Sequence, residues 1–245
     1  MQRWSIVHPQ KNKAMNIDIF GLAMQDYLKG ERGNIINVET NLTEEEELPV
    51  DYLFRTEAEL PEWETLALSL CKGKILDVGA GAGCHSLILQ QKGFDVKAID
   101  IAPIAVECMN KQGINADLQD YYEETGKYDT ILFLMNGIGL ALTIDGLTKV
   151  FDHAKTLLNP SGQILLESSD IIYMFEEEDG SFLIDINGAY YGEMEYTLSY
   201  KTFIGEPFPW LYVDYQLMSD KAQESGFQVE FLYQGEDFNY LARLF

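Results

Sequence analysis

"ILDVGAGAGCHSLILQQKGFDVKAID", residues 75–100, decides the fold. It starts as a short apolar run, breaks into glycines at 79, 81 and 83, resumes with helical spacing and closes on a second apolar run ending in Asp100. A strand that feeds a glycine loop into a helix places backbone N–H groups and a helix N-terminus at the carboxyl edge of a parallel sheet, where open α/β sheets bind ligands. Two acids refine the ligand. Asp77, at the mouth of the loop, would repel a pyrophosphate but suits an ammonium group, a hydroxyl or a water. Asp100, 23 residues further on, stands where a carboxylate accepts hydrogen bonds from both hydroxyls of a ribose. The ligand read from these residues is a nucleoside carrying an amino-acid-like cation, and S-adenosylmethionine meets both demands. A dinucleotide fits less well, because its fingerprint is G-x-G-x-x-G/A, whereas here the third glycine falls at 83 and position 84 is Cys.

Outward from this stretch, residues 59–168 alternate strand and helix, with strands expected at 74–78, 94–99, about 114–117, 129–135 and 163–167. That alternation argues for a parallel sheet covered on both faces. Asp145 can cap a helix carrying Leu147, Val150, Phe151, Ala154, Leu157 and Leu158, ended by Asn159-Pro160. After residue 168 the pattern changes. Met194, Tyr196, Leu198 and Tyr200 alternate with polar residues and read as an antiparallel strand, with a partner at 208–215. A helix at 216–225, stopped by Gly226, leads to strands at 227–233 and 238–244, a hairpin on the edge of the main sheet.

Upstream, the chain to residue 58 reads as helix and loop. Asn16 or Asp18 can cap a helix with Ile17, Phe20, Met24, Tyr27 and Leu28 at helical spacing, stopped by Gly30. A second helix begins at Pro61, with Trp63, Leu66, Ala67 and Leu70 on one face. The organisation expected is an N-terminal helical cap over 1–58, closing as a lid, and a main domain over 59–245 with a β-rich insertion at about 169–215.

Composition sets the remaining bounds. A formal charge of −23, from 40 acidic against 17 basic residues, repels polyanions and disfavours direct nucleic-acid binding. No apolar run approaches the length of a membrane span, and "MQRWSIVHPQKNK" lacks the apolar stretch of a signal peptide. A cytoplasmic protein is expected, with Cys71, Cys84 and Cys108 as buried free thiols. The acids Glu44 to Glu47 read as a solvated loop before Pro49. No metal site is expected, since Asp170 alone supplies too few oxygen ligands.

"LDVGAGAG", "VKAID", "KYDTILFLMN" and "LLNPSGQILLES" resemble, in that order, successive motifs of the class I S-adenosylmethionine-dependent methyltransferases, over about residues 72–168. The resemblance implies a seven-stranded, mostly parallel Rossmann-like α/β sheet with helices on both faces, whose last pair is an antiparallel hairpin. It assigns Asp77, Gly79, Ala80, Gly81 and Gly83 to the methionine end of the cofactor, and Asp100 with the backbone of Ile101 to the ribose and adenine. In "NADLQD" it points to Asp117, with Leu118 beside it, for the adenine amine, and Asp120 is the rival. Asn136 and Gly137 would lie beneath the reactive methyl, through a backbone carbonyl more than a side chain. The activity implied is in-line methyl transfer to a small molecule. A non-catalytic cofactor-binding protein of the same fold and an NAD(P)-dependent oxidoreductase are the competing readings.

Several residues stay open between a role and plain packing. His85 either touches the methionine carboxylate, lines the cleft or packs at the helix start. Arg55 either clamps that carboxylate or makes a surface ion pair. Tyr52 and Phe54 either cover the cofactor or belong to the core. Tyr173, Phe175, Tyr190, Tyr191 and Trp210 either wall the substrate or form the core of an added β-layer. For an acceptor that must lose a proton, His85 and Tyr191 are the candidate bases, and Asn136 is a further catalytic candidate. His8 and His153 are poor ones.

Overall fold

The computed structural model describes residues 17–42, 46–177, 179–185, 187–235 and 238–245. The Asn16 cap, His8 and the acids Glu44 and Glu45 lie outside the described residues. In chain order the elements are α1 (Ile19–Leu28), β1 (Ile35–Thr40), β2 (Glu46–Pro49), α2 (Glu62–Leu70), β3 (Lys74–Val78), α3 (Cys84–Gln91), β4 (Asp95–Asp100), α4 (Pro103–Lys111) and β5 (Ala116–Leu118). There follow β6 (Tyr128–Phe133), α5 (Ile144–Leu157), β7 (Leu158–Ser169), β8 (Glu193–Tyr200), β9 (Phe203–Ile204), β10 (Phe208–Leu211), α6 (Tyr215–Glu224), β11 (Val229–Gln234) and β12 (Asn239–Leu244).

Seven strands make one sheet in the order β11-β12-β7-β6-β3-β4-β5. β3 to β7 run parallel, and β12 lies antiparallel between β7 and β11. Central strands buried on both faces need apolar side chains throughout, and β3, β6 and β7 supply them: Ile75, Leu76, Ile131, Leu132, Phe133, Ile164, Leu165 and Leu166 are all solvent-inaccessible. α5 shows its expected apolar face, with Leu147, Val150, Phe151 and Ala154 buried against the sheet. Its cap is Thr143, whose hydroxyl accepts from Gly146 N–H at 3.1 Å, while Asp145 sits in the first turn. β7 starts at once after α5, so Asn159-Pro160 lies inside a strand's irregular first residues rather than in a loop.

The leading segment departs from the helical cap expected over 1–58. Beside α1 it contributes β1 and β2, which join β8, β9 and β10 in a five-stranded antiparallel sheet ordered β10-β8-β1-β2, with β9 also on β8. Val38 pairs with Leu198 and Thr40 with Tyr196. Neither "IINVET" nor "EELP" is long or alternating enough to announce itself; β1 becomes a strand because the insertion offers a partner 150-odd residues away in sequence, and β2 then pairs with β1. Glu46 and Glu47, read as loop, are therefore strand residues. Asp18 ties this layer to the main domain, accepting from Gly21 N–H at 2.6 Å in its own helix and from Ile104 N–H at 2.9 Å in α4. All three cysteines are buried and unbridged. Among the described residues no helix is long and apolar enough to cross a membrane.

Candidate functional site

Gly79, Gly81 and Gly83 all take left-handed backbone, with φ of 66°, 57° and 78°, a region that side chains other than glycine's disfavour. Their surroundings differ. A methyl group at Gly83 would lie 2.5 Å from Ile114 Cδ1, so this glycine lets the loop close on α4 and its neighbour, whereas one at Gly79 would meet nothing within 4 Å. Gly79 faces open space. The loop's N–H groups are largely spent inside the protein: Gly79 and Ala80 donate to Ile99 O at 2.9 and 3.2 Å, and Gly83 donates to Ala80 O at 2.8 Å. What the loop presents is carbonyls, since those of Gly79 and Gly81 accept no hydrogen bond from the described residues.

The two acids differ as well. Asp77 is buried beneath the loop and accepts from Ser86 Oγ at 2.7 Å, anchoring the first turn of α3. Burial pushes its carboxyl up, against the pull of His85 and Ser86. Asp100 stands at the rim, where Oδ2 accepts from Gly81 N–H and Oδ1 from Ala102 N–H, both at 2.9 Å. A carboxylate offers about four lone-pair sites, so Asp100 keeps capacity on both oxygens. Burial raises it too, partly offset by those N–H groups. Beside it, Ile101, just past β4, and Leu118 of β5 are exposed at 74% and 58%, an apolar rim. Asp117 instead pairs with Lys97 at 3.1 Å, and Asp120 caps Tyr122 N–H at 2.8 Å.

Behind the loop lies a buried charge cluster that the sequence reading did not anticipate. Glu64 of α2, only 1% exposed, accepts from Arg55 Nη2 at 3.0 Å and holds His85 Nε2 at 2.6 Å. For His85, burial opposes the charged imidazole, but Cys84 and the Glu64 carboxylate outweigh it and raise the ring well above its ordinary value. Arg55 also donates through Nε to Tyr52 O at 2.8 Å, touches Met135 Sδ at 3.2 Å and stacks 3.8 Å above the Tyr52 ring. Its Nη1 is buried without a partner among the described residues. A buried donor left unmatched costs about 1–3 kcal/mol, so Nη1 stands ready for an acceptor. Arg55 thus makes an ion pair, but a buried one with a donor to spare.

At the end of β6 the chain turns through two non-glycine residues in the left-handed region, Met135 (φ 52°) and Asn136 (φ 54°). Such strain persists where the surroundings over-determine it. Here Glu167 Oε2 accepts from Met135 N–H at 2.8 Å. Asn136 donates to Leu211 O at 3.2 Å and accepts from Ser168 Oγ at 2.8 Å. These two hydrogen bonds give its amide a part in holding this turn. Gly137 follows, beside the base of the glycine loop, where a methyl would make ordinary van der Waals contact with Val78 O at 3.5 Å.

Glu167, on the carboxyl end of β7, is 8% exposed. Burial first, then the charge of Glu64, pushes its carboxyl up to about 7, against the pull of Met135 N–H and His85. It lines a cavity of about 360 Å³ whose walls come from β7 and β12 on one side and β1, β2 and β8 on the other, lined also by Tyr52, Trp63, Tyr173, Tyr196 and Tyr212. Of the five aromatics expected as a substrate wall, Tyr173 is there. Tyr191 donates to Asp170 Oδ1 at 2.7 Å and Tyr190 to Asp214 Oδ2 at 2.8 Å, Phe175 packs edge-on against Tyr191, and Trp210 packs against Gly139. Burial raises the Tyr191 phenol out of the range of a useful base. Glu64, Glu167, Trp63, Tyr196 and Tyr212 were missed as site residues. The one available signal was a Glu following the apolar "ILL" of a central strand. Among the described residues no group of three or more His, Cys, Asp and Glu is placed to hold a metal ion.

A family described as a methyltransferase domain matches residues 61–183. A SAM-dependent methyltransferase from Bacteroides fragilis, solved in complex with S-adenosyl-L-homocysteine, is similar with a TM-score of 0.87 at 42% identity, covering 93% of this chain and 94% of that one. A ubiquinone biosynthesis O-methyltransferase from Xanthomonas oryzae pv. oryzae is 24% identical over 140 residues, 53% of this chain and 54% of that protein. The chain thus spans about half the length of that curated relative. DesVI of Streptomyces venezuelae, at 16% identity and a TM-score of 0.55 over 80% of this chain and 94% of that one, shares the fold.

Proposed function

The chain belongs to the S-adenosylmethionine-dependent methyltransferases, and from that premise we propose that it transfers a methyl group in line from S-adenosylmethionine to a small-molecule acceptor. One observation carries the reading: a glycine loop with open space over Gly79 lies between a rim carboxylate with spare lone pairs, Asp100, and a buried guanidinium with a spare donor, Arg55. An adenosyl amino acid has hydroxyls for the first and a carboxylate for the second.

When bound, the cofactor supplies a methyl group on a sulfonium, which is its own leaving group. The protein's part is to hold and align, worth several kcal/mol when reacting atoms are fixed at near-attack distance. Asp100 accepts from the ribose hydroxyls, and Ile101 with Leu118 covers the adenine. The Gly79 and Gly81 carbonyls suit the ammonium group, and Arg55 Nη1 the carboxylate. His85 acts through Glu64 by fixing Arg55, as a positioning residue. Asp77 holds the helix under the loop, and the strained turn at Met135–Gly137 backs the reacting centre. A cavity of about 360 Å³ falls in the range that small ligands fill, which supports a small acceptor. Three buried, unbridged thiols favour a reducing, cytoplasmic setting.

Titration calorimetry with S-adenosylmethionine, S-adenosylhomocysteine and the nicotinamide dinucleotides tests this. One equivalent of either adenosyl compound should bind per chain, and no dinucleotide. Binding of the dinucleotides alone would overturn it.

A further inference from the structure

The inter-sheet cavity has a chemical bias. Glu46 and Glu167 both line it, and no Lys, Arg or His is among its described lining residues. Its lining includes these two carboxylates, and the whole chain carries −23, so the field there favours a cation. A carboxylate-bearing molecule would be repelled. A second feature adds a polar demand: Asn239 is 7% exposed, lines the cavity, and its Nδ2 is buried without a partner among the described residues. The occupant should therefore bring both a cation and a hydrogen-bond acceptor. Glu167 meanwhile is one hydrogen bond from the Met135 turn, which packs on the base of the glycine loop.

Resting on the methyl-transfer reading above, we propose that the acceptor is a small primary or secondary amine carrying a hydrogen-bond acceptor, and that Glu167 binds its ammonium group and takes its proton. The step balances. A proton passes from the ammonium to the Glu167 carboxylate, freeing the nitrogen lone pair. That pair forms the N–C bond as the C–S bond breaks, the C–S electrons stay on sulfur, and the positive charge moves from sulfonium to the methylated nitrogen. A base poised near neutral pH suits such a transfer, and Glu167 is held there by burial and by Glu64. The groups facing it are Glu64 of α2, His85 of α3, and the phenols of Tyr52 and Tyr212, with Arg55 behind Glu64.

The test loads the protein with S-adenosylhomocysteine and screens three fragment sets of matched size, primary amines, phenols and carboxylic acids, by saturation-transfer NMR. Amines should bind and carboxylic acids should not, and Glu167→Gln should weaken the amines at least tenfold while leaving S-adenosylhomocysteine affinity within twofold. With S-adenosylmethionine, the amine hits should give N-methyl products by mass spectrometry, and Glu167→Gln should lower kcat at least a hundredfold. If that variant unfolds, the wild-type kcat against pH must rise through the neutral region to a plateau. No binding among amines, preference for phenols or acids, O-methylated product, an unaffected variant or a flat pH profile each overturns the proposal. Failure of wild-type protein to bind S-adenosylhomocysteine at all would instead overturn the cofactor reading on which it rests.

Discussion

The glycine-loop rim and the inter-sheet cavity lie at the same edge of the large sheet yet are built by opposite means. The rim is made mostly of main chain and one carboxylate from the run β3 to β4, with Leu118 of β5 beside them. The cavity is made of side chains from α2, β1, β2, β7, β8, β12 and the intervening loops, brought together where the second sheet meets the first. A ligand shared by many reactions can be recognised by backbone geometry, whereas the reacting partner needs side chains that vary. The Arg55–Glu64–His85 cluster joins the two regions, since Glu64 also acts on Glu167 through its charge.

That joint is where the largest effect is expected. Glu64→Ala leaves two buried cationic side chains without their carboxylate, and removing one partner of a buried pair costs about 3–5 kcal/mol. Urea unfolding measures it. A loss below 1 kcal/mol would mean that the rim and the cavity are independent.

The next effect belongs to the cavity. The Glu167 carboxyl is raised from 4.5 to about 7 in the folded protein, so between those values the native state binds a proton that the unfolded chain has released. Its contribution to stability is fully present below the unfolded value and is lost as pH rises through the folded one, on the order of 3 kcal/mol in all. Unfolding free energies from pH 4.5 to 8 should fall more steeply in the wild type than in Glu167→Gln. Parallel curves would remove the raised carboxyl from the account.

On the rim, Asp100→Ala should weaken S-adenosylhomocysteine by about 1.5–3 kcal/mol, the worth of hydrogen bonds to a charged group, read by calorimetry. Trp63→Phe in the cavity should leave that affinity unchanged, and an equal loss from both would erase the division of labour. The smallest effect is Asp18→Ala, which removes the cap of α1 and the tie to Ile104 N–H. About 1–2 kcal/mol of stability should go with cofactor affinity unaltered, as thermal unfolding and titration can check.

The difference between the regions also explains what could be read from sequence. The rim was legible because Gly79, Gly81, Gly83, Asp77 and Asp100 sit in one 26-residue stretch whose periodicity, turn chemistry and acids all agree. All seven strands of the large sheet were legible too, the central ones as local apolar runs and the others from their place in the strand–helix alternation and the closing hairpin. The second sheet was half legible. β8 alternates cleanly and was read, but β1 becomes a strand by pairing with it and β2 by pairing with β1, so the leading segment looked like helix and loop. Asp77 was read as a group at the mouth of the loop because it lies in the last residues of its strand, and the Ser86 hydroxyl that captures it is supplied by the next helix. Arg55 and Glu64 are nine residues apart with no shared pattern, and only the packing of α2 against α3 turns an apparent surface pair into a buried one that includes His85. Glu167 gave a single local cue, an acid ending a central strand, and its chemistry depends on Glu64, Met135 and His85, each from a different element.

A crystal structure of the protein with S-adenosylhomocysteine addresses the central claim most directly. Its ribose hydroxyls should lie on Asp100, its amino-acid end over Gly79 with the carboxylate on Arg55 Nη1, and its sulfur toward the Met135–Gly137 turn and the cavity lined by Glu167. Density for the ligand away from the 79–83 loop, or an Arg55 guanidinium with no ligand oxygen within hydrogen-bond distance, would contradict it.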